Sequence, residues 1–153
     1  MNWIIRNTSK LKYHTNLTEL FRPISGYIGD YKWLISDLEF TSDEPLGFLN
    51  MDKDYNLVTS EQFRELLKHD MQFIWASIIA IPNSKNKPIN IDNLPFVEGN
   101  ELIWKNDNIQ YPEGEIEVDC FDSSYTIVKF KNPKHSREFK NYFDEAIELE
   151  KWK

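Results

Sequence analysis

The sequence predicts a single α+β domain over residues 1–153, with a mainly antiparallel sheet and a C-terminal helix packed on one face. Three observations lead to this fold class. Several short segments are rich in β-branched and aromatic residues, one long apolar segment has the composition of a central strand, and the C-terminal segment carries apolar residues at helical spacing. A chain of 153 residues is long enough to bury a core without disulfides.

The first elements are a short helix and a strand. Residues 16–24, NLTELFRPI, predict a helix that Asn16 or Thr18 caps and Pro23 ends. Residues 31–40, YKWLISDLEF, alternate in part and contain many β-forming side chains, which predicts a strand. A turn-rich connection follows it.

The middle of the chain predicts a capped helix and a central strand. Thr59 and Gln62 have the spacing of a capping box, and the apolar residues that follow repeat at helical spacing, which predicts a helix at about 60–69. Residues 71–82, MQFIWASIIAIP, are apolar enough for a buried strand that ends at Pro82.

Residues 83–113 carry the weakest pattern, because three prolines interrupt short apolar pieces. A strand near 101–104 is the one element that we predict there. At the C-terminal end, Asn132 and Pro133 have the types expected at a helix start, and apolar residues then mark one face of a helix over 133–150.

Residues 115–131 predict a β-hairpin whose three-residue turn is 122–124. Acidic residues alternate with Ile116, Val118 and Cys120, so that the two kinds of side chain lie on opposite faces. The apolar face is expected to point to the core and the acidic face to solvent. The predicted cross-strand pairs are Ile116 with Phe130, Val118 with Val128, Cys120 with Thr126, Glu117 with Lys129, Glu115 with Lys131, and Phe121 with Tyr125.

The distribution of charge bears on the class of partner. The formal net charge is −7 at pH 7, and nucleic-acid phosphates and anionic membrane surfaces are both contacted mainly by lysine and arginine. We therefore predict neither nucleic acid nor a membrane as a partner. The acids concentrate in residues 37–54, where Lys53 is the one cation.

An acidic surface speeds association with a basic protein, so these carboxylates are the predicted partner-binding residues. Asp119 joins them because it is the acid of the predicted hairpin with no lysine across from it. A surface that only keeps the chain soluble is the alternative interpretation. The predicted set is Asp37, Glu39, Asp43, Glu44, Asp52, Asp54 and Asp119.

We predict no catalytic residue, cofactor site or metal site. Asp52, Asp54 and Asn56 match the first ligand positions of an EF-hand loop, but Leu57 stands where that loop needs glycine and Phe63 where it needs glutamate. The one cysteine excludes an internal disulfide, and the N-terminal segment lacks the apolar run of a secretory signal. These features, with no apolar stretch of about 20 residues, predict a cytoplasmic protein.

The segments CFDSSYTIVKF and EFKNYFDEAIELE, joined by a short link that contains proline, resemble the C-terminal pattern of small bacterial immunity proteins. The resemblance covers residues 115–149 and includes no motif with a catalytic role. Immunity proteins of contact-dependent and other polymorphic toxin systems tend to be small, acidic and cytosolic. The resemblance implies a non-enzymatic protein that neutralises a basic toxin domain by covering it.

Two other classes of function stay open at this point. A small enzyme would assemble its site from distant residues, such as His69 or His135 with carboxylates, and a deep pocket that joins such groups would favour it. A structural or regulatory subunit is the other class. The oligomeric state and the identity of the partner are left open.

Overall fold

The computed structural model describes residues 1–6 and 8–152, and seven strands within them form one continuous sheet. The strands are β1 Trp3–Ile5, β2 Tyr31–Ser42, β3 Tyr55–Val58, β4 Met71–Pro82, β5 Ile116–Phe121, β6 Tyr125–Phe130 and β7 Ile147–Glu148. Their spatial order is β3-β2-β4-β5-β6-β1-β7, and each neighbouring pair is antiparallel. The predicted α+β class with an antiparallel sheet is confirmed.

Three short α-helices and a long 3-10 segment cover one face of this sheet, which we call the helical face. The helices are α1 Leu17–Leu20, α2 Ser60–Leu66 and α3 Pro133–Tyr142, and the 3-10 segment is Arg22–Asp30. Apolar residues of all four pack with the inward side chains of the strands in the largest hydrophobic cluster. Trp33 is completely buried there and stacks on Phe63 with ring centroids 4.2 Å apart.

Local signals in the sequence located several elements correctly. The predicted strand at 71–82 is β4, and β2 runs two residues beyond its predicted end. The capping box of α2 is present, since Gln62 N donates to Thr59 Oγ1 at 3.1 Å and Thr59 N donates to Gln62 Oε1 at 3.0 Å. Of the two predicted caps, Asn16 is the one that caps α1. The predicted end at Pro23 is wrong, because the α-helix ends at Leu20 and Pro23 lies inside the 3-10 segment that follows.

The predicted helix over 133–150 is too long, because α3 ends at Tyr142. Phe143 leaves the helical conformation, and Lys140 Nζ donates to the carbonyl of Ala146 at 2.9 Å across the turn. The chain then returns to the sheet, where Ile147 pairs with Ile4 in β7. The predicted strand near 101–104 is also wrong, because Asn100 caps a 3-10 turn over Glu101–Trp104.

The hairpin register is confirmed at every pair that β5 and β6 contain, from Ile116 with Phe130 to Phe121 with Tyr125. Asp122 and Ser123 take the left-handed backbone conformation, with φ of 48° and 53°. The three-residue turn therefore forms without glycine.

Residues 83–113, which we call the strap, cross the face of the sheet opposite the helices. They contain 3-10 turns at Ile91–Asn93 and Glu101–Trp104. Val97, Ile103 and Tyr111 of the strap are buried against side chains of the sheet. The sheet is therefore covered on both faces, and the expectation that the acidic face of the hairpin points to solvent is wrong.

Among the described residues, no helix combines the length and the apolar character that a membrane crossing requires.

Candidate partner-binding groove and the polar cluster behind the strap

A bulge in β2 shapes the candidate site. The register between β2 and β4 shifts after Ser36 and again after Glu39. Asp37, inside the bulge, has a φ of 51°, a left-handed conformation that aspartate tolerates better than most residues. Its Oδ2 accepts hydrogen bonds from Val97 N at 2.8 Å and Glu98 N at 2.9 Å. The bulge thus fastens the strap to the sheet and leaves an opening beside it.

That opening is a groove of about 530 Å³ between the bulge, the turn at 51–54 and the strap, and we call it the acidic groove. Its lining includes apolar side chains with large exposed fractions, 50% for Met51, 65% for Ile91 and 47% for Phe96. Exposed large apolar side chains that share one concave surface are typical of a contact region.

Carboxylates line the same groove. Glu39, Asp54 and Glu98 are exposed there, and among the described residues Lys53 is the one cation in its lining. The groove therefore combines an apolar surface with an excess of negative charge, which suits a basic partner that also presents apolar side chains.

The structure divides the predicted binding residues between separate places. Asp37, Glu39 and Asp54 line the acidic groove, and Asp52 joins Asp54 in a neighbouring depression beside β3. Asp43 and Glu44 lie in another depression with Asp70. The groove also contains residues that the sequence did not single out, namely Met51, Ile91, Phe96 and Glu98.

The carboxylate of Asp37 is already used by the strap, so its role is to hold one wall of the groove. Asn56, which resembled a calcium ligand in sequence, has a structural role as well. Its side chain accepts from Asn50 N at 3.0 Å and donates to Asn50 O at 3.1 Å, which closes the turn before β3.

Asp119 is not part of any exposed surface. Its exposed fraction is zero, because the strap covers it, and its prediction as a partner-binding residue is therefore wrong. Glu117 and Lys129, predicted to form an exposed pair, are completely buried too. They do lie opposite each other in the sheet, as predicted.

Gln110 of the strap is the centre of the hydrogen bonds around this buried polar cluster. Its main-chain N and its Nε2 donate to the two oxygens of Glu117, at 2.7 and 2.8 Å. Its Oε1 accepts from Asn100 Nδ2 at 2.8 Å and from Phe96 N at 3.1 Å. One side chain therefore connects the sheet to the strap segment that lines the acidic groove.

Lys129 binds the strap as well. Its ammonium donates to the carbonyl of Asn108 at 2.8 Å and to that of Leu102 at 3.4 Å. Burial lowers the pKa of the Lys129 ammonium, and the negative charges of Glu117 and Asp119 oppose this effect. The buried ammonium of Lys129 therefore ties the strap to β6 through the carbonyls of Asn108 and Leu102.

Burial, and then the neighbouring carboxylate of Glu117, raise the pKa of Asp119 well above the usual value of an aspartic acid. Asp119 Oδ1 accepts from Ser77 Oγ at 3.0 Å, whereas no donor from the described part of the chain reaches Oδ2. Burial therefore favours the neutral form of Asp119. We infer that Lys129 then balances the charge of Glu117, its partner across β5 and β6.

The histidines lie in different settings. His69 follows α2, with Nε2 3.5 Å from Glu65 Oε1 and Nδ1 3.7 Å from Glu44 Oε2, and it lines an open depression. His135 is buried against the ring of Tyr27, with centroids 4.0 Å apart, and burial lowers the pKa of its imidazole. Neither arrangement places a histidine and a carboxylate together in a deep pocket.

Cys120 is completely buried on the helical face. Burial, with a smaller contribution from Asp119, raises the pKa of its thiol far above the usual value. The described residues also contain no group of three or more histidine, cysteine or acidic side chains arranged to hold a metal ion.

Comparison with known proteins gives no match to a family model, a curated protein or a solved structure. The function is therefore inferred from the acidic groove itself.

Proposed function

We propose that this chain is a non-enzymatic, cytoplasmic binding protein that neutralises a basic bacterial toxin domain by covering it, with the acidic groove as its contact surface. The observation that carries the proposal is the groove, in which exposed Met51, Ile91 and Phe96 lie beside the carboxylates of Glu39, Asp54 and Glu98. The resemblance of residues 115–149 to immunity proteins supports the choice of partner.

The two kinds of side chain in the groove have different tasks. Long-range attraction between carboxylates and a basic surface raises the association rate, an effect that salt weakens. Burial of apolar side chains at the centre of an interface supplies most of the affinity, and the dissociation rate reflects it. A partner that presents lysines or arginines around an apolar side chain would satisfy both.

The groove is also held in shape before a partner arrives. Asp37 fixes the strap at Val97 and Glu98, and Gln110 fixes it at Phe96 and at Glu117. A preformed surface avoids the entropy cost of ordering a loop during binding.

A survival assay tests the proposal directly. The proposal predicts that a toxin domain is encoded next to this chain's gene, and the assay expresses that domain in a bacterial host with or without the chain. We expect the host to survive only when the chain is present, and purified toxin domain and chain should form a stable complex. Growth arrest despite the chain would contradict the proposed function.

Charge variants locate the contact surface. In the groove variant, Glu39→Gln, Asp54→Asn and Glu98→Gln are combined. The control variant combines Glu61→Gln, Asp144→Asn and Glu150→Gln, which remove the same charge from exposed positions outside the groove.

We expect the groove variant to slow association with the toxin domain about tenfold at low salt and to flatten its salt dependence. The control variant should change both much less. Equal effects of the two variants would show that net charge matters and the groove does not. A variant with Asp43→Asn and Glu44→Gln tests the acidic depression beside His69 in the same way.

A further inference from the structure

The strand β3 lies at one end of the sheet, and the described part of the chain places no strand against its outer side. The hydrogen-bond pattern of the sheet shows which main-chain groups face outward. Asn83 N donates to Asp30 O at 3.1 Å, one step beyond the pair Tyr31 and Pro82. Hydrogen-bonding direction alternates along an antiparallel strand, so the even-numbered residues from 30 to 36 form hydrogen bonds with β4 and the odd-numbered residues of β2 in this range form them with β3.

Trp33 and Ile35 therefore exchange hydrogen bonds with their partners Val58 and Asn56. The N–H and C=O groups of Tyr55 and Leu57 point away from β2, toward the free edge. An edge of this kind is a template for an extended segment from another chain.

The free edge of β3 lies beside the negatively charged residues of the acidic groove. A depression of about 490 Å³ runs beside β3, and its lining includes Phe48, Asp52, Lys53 and Asp54. Lys53 and Asp54 also line the acidic groove. Leu57 is 43% exposed, so an apolar side chain is available next to the free main-chain groups.

Charge decides between two occupants of this edge. A second copy of this chain carries the same acidic lining, so edge-to-edge pairing would bring together two surfaces with an excess of negative charge. An extended segment that alternates basic and apolar residues instead places positive charges beside these carboxylates and an apolar side chain beside Leu57.

We propose that the free edge of β3 binds an extended basic segment of the partner as an added strand. This inference rests on the proposed function and deepens it, because it states the conformation and the side-chain pattern of the bound segment. Tyr55 and Leu57 supply the main-chain hydrogen bonds, and Asp52 and Asp54 select for lysine or arginine.

Amide hydrogen exchange of the free chain tests the geometry first. The amides of Tyr55 and Leu57 should exchange much faster than those of Asn56 and Val58, which β2 protects. The opposite order would overturn the inference, because the main-chain groups at the free edge would then be the wrong ones.

A synthetic peptide then serves as the probe for binding. It has seven residues that alternate lysine and valine, with an acetylated and an amidated end. The control peptide has the same side chains but carries a methyl group on every amide nitrogen, so it cannot donate main-chain hydrogen bonds. We expect binding by the first peptide to slow exchange at Tyr55 and Leu57, and the methylated peptide to bind at least about tenfold more weakly.

Two variants of the chain complete the test. Leu57→Pro removes the outward N–H, which an edge strand tolerates, whereas Leu57→Ala keeps it and shortens the side chain. Peptide binding should be lost in Leu57→Pro and largely kept in Leu57→Ala. Circular dichroism and thermal unfolding show whether Leu57→Pro is folded, and the peptide pair gives the same answer if it is not.

Equal binding of the two peptides, or no binding of either, would overturn the added strand. Such a result leaves the survival assay unaffected, because that assay depends on the whole toxin domain. A failed survival assay combined with normal peptide binding would instead overturn the proposed function and leave the β3 edge as a binding site.

Discussion

Lys129→Met tests whether the buried polar cluster holds the strap on the sheet. Methionine has nearly the volume of lysine, so the change removes the charge and leaves little empty space. It takes away the donor to the carbonyls of Asn108 and Leu102, and it leaves the carboxylate of Glu117 without a buried cation. The hydrogen bonds from Gln110 to Glu117 remain.

Removal of one partner from a buried ion pair costs about 3–5 kcal/mol, because the other charge stays buried. The two donors of Gln110 still stabilise Glu117, so we expect the lower end, about 3 kcal/mol in the free energy of unfolding. For a chain of this length, each kcal/mol lowers Tm by about 2–4 °C, which predicts a fall of about 6–12 °C.

Urea unfolding of a double-mutant cycle measures this effect. The single variants are Lys129→Met and Glu117→Gln, and the double variant combines them. The double variant has no buried charge to balance, so it should be more stable than the sum of the single losses predicts by about 2 kcal/mol. Additive losses, or a Lys129→Met variant within about 0.5 kcal/mol of the parent, would refute the charge balance that we infer.

Three further predictions follow from buried groups and from the cap of α2. Because burial raises the pKa of Asp119, its contribution to stability is full at acid pH and declines as pH rises toward the folded-state pKa. Urea unfolding measures the free energy of unfolding of Asp119→Asn minus that of the parent, and this difference should rise by at least about 1 kcal/mol between pH 4 and pH 8. Free energies that change in parallel with pH would contradict this. Cys120 should react with a thiol reagent in urea but only at the rate of unfolding in buffer, and fast stoichiometric labelling of the native chain would show that the helical face is open. Thr59→Ala should lower the free energy of unfolding by about 1 kcal/mol, with Ser60→Ala as its control because Thr59 is the residue that caps Gln62 N.

Whether an element was predicted correctly depends on how far apart in sequence the residues that determine it are. The capping box of Thr59 and Gln62 and the turn of the hairpin involve residues two to four positions apart, and both were predicted correctly. The end of α3 depends on Ile147 pairing with Ile4 at the other end of the chain. The apolar periodicity of residues 133–150 therefore does not indicate where α3 ends.

The candidate site shows the same division. The acidic character of residues 37–54 was visible in the sequence, and Glu39 and Asp54 do lie in the acidic groove. The apolar half of the groove was not visible in the sequence, because Ile91 and Phe96 belong to a segment without a regular hydrophobic pattern. The strap reaches β2 through Asp37 and Val97, which are 60 positions apart.

Strand parity alone separated the acidic from the apolar side chains of EIEVDC and placed each residue opposite its partner, because side-chain direction and turn length are local properties of the backbone. Parity does not state what covers a face. The tertiary structure decides it, because the strap covers Glu117, Asp119 and Lys129 and supplies Gln110 as a donor, and charged groups are stable in a protein interior only when such partners surround them. The acidic groove lies at the edge of the same strap, where Asp37 binds Val97 and Glu98.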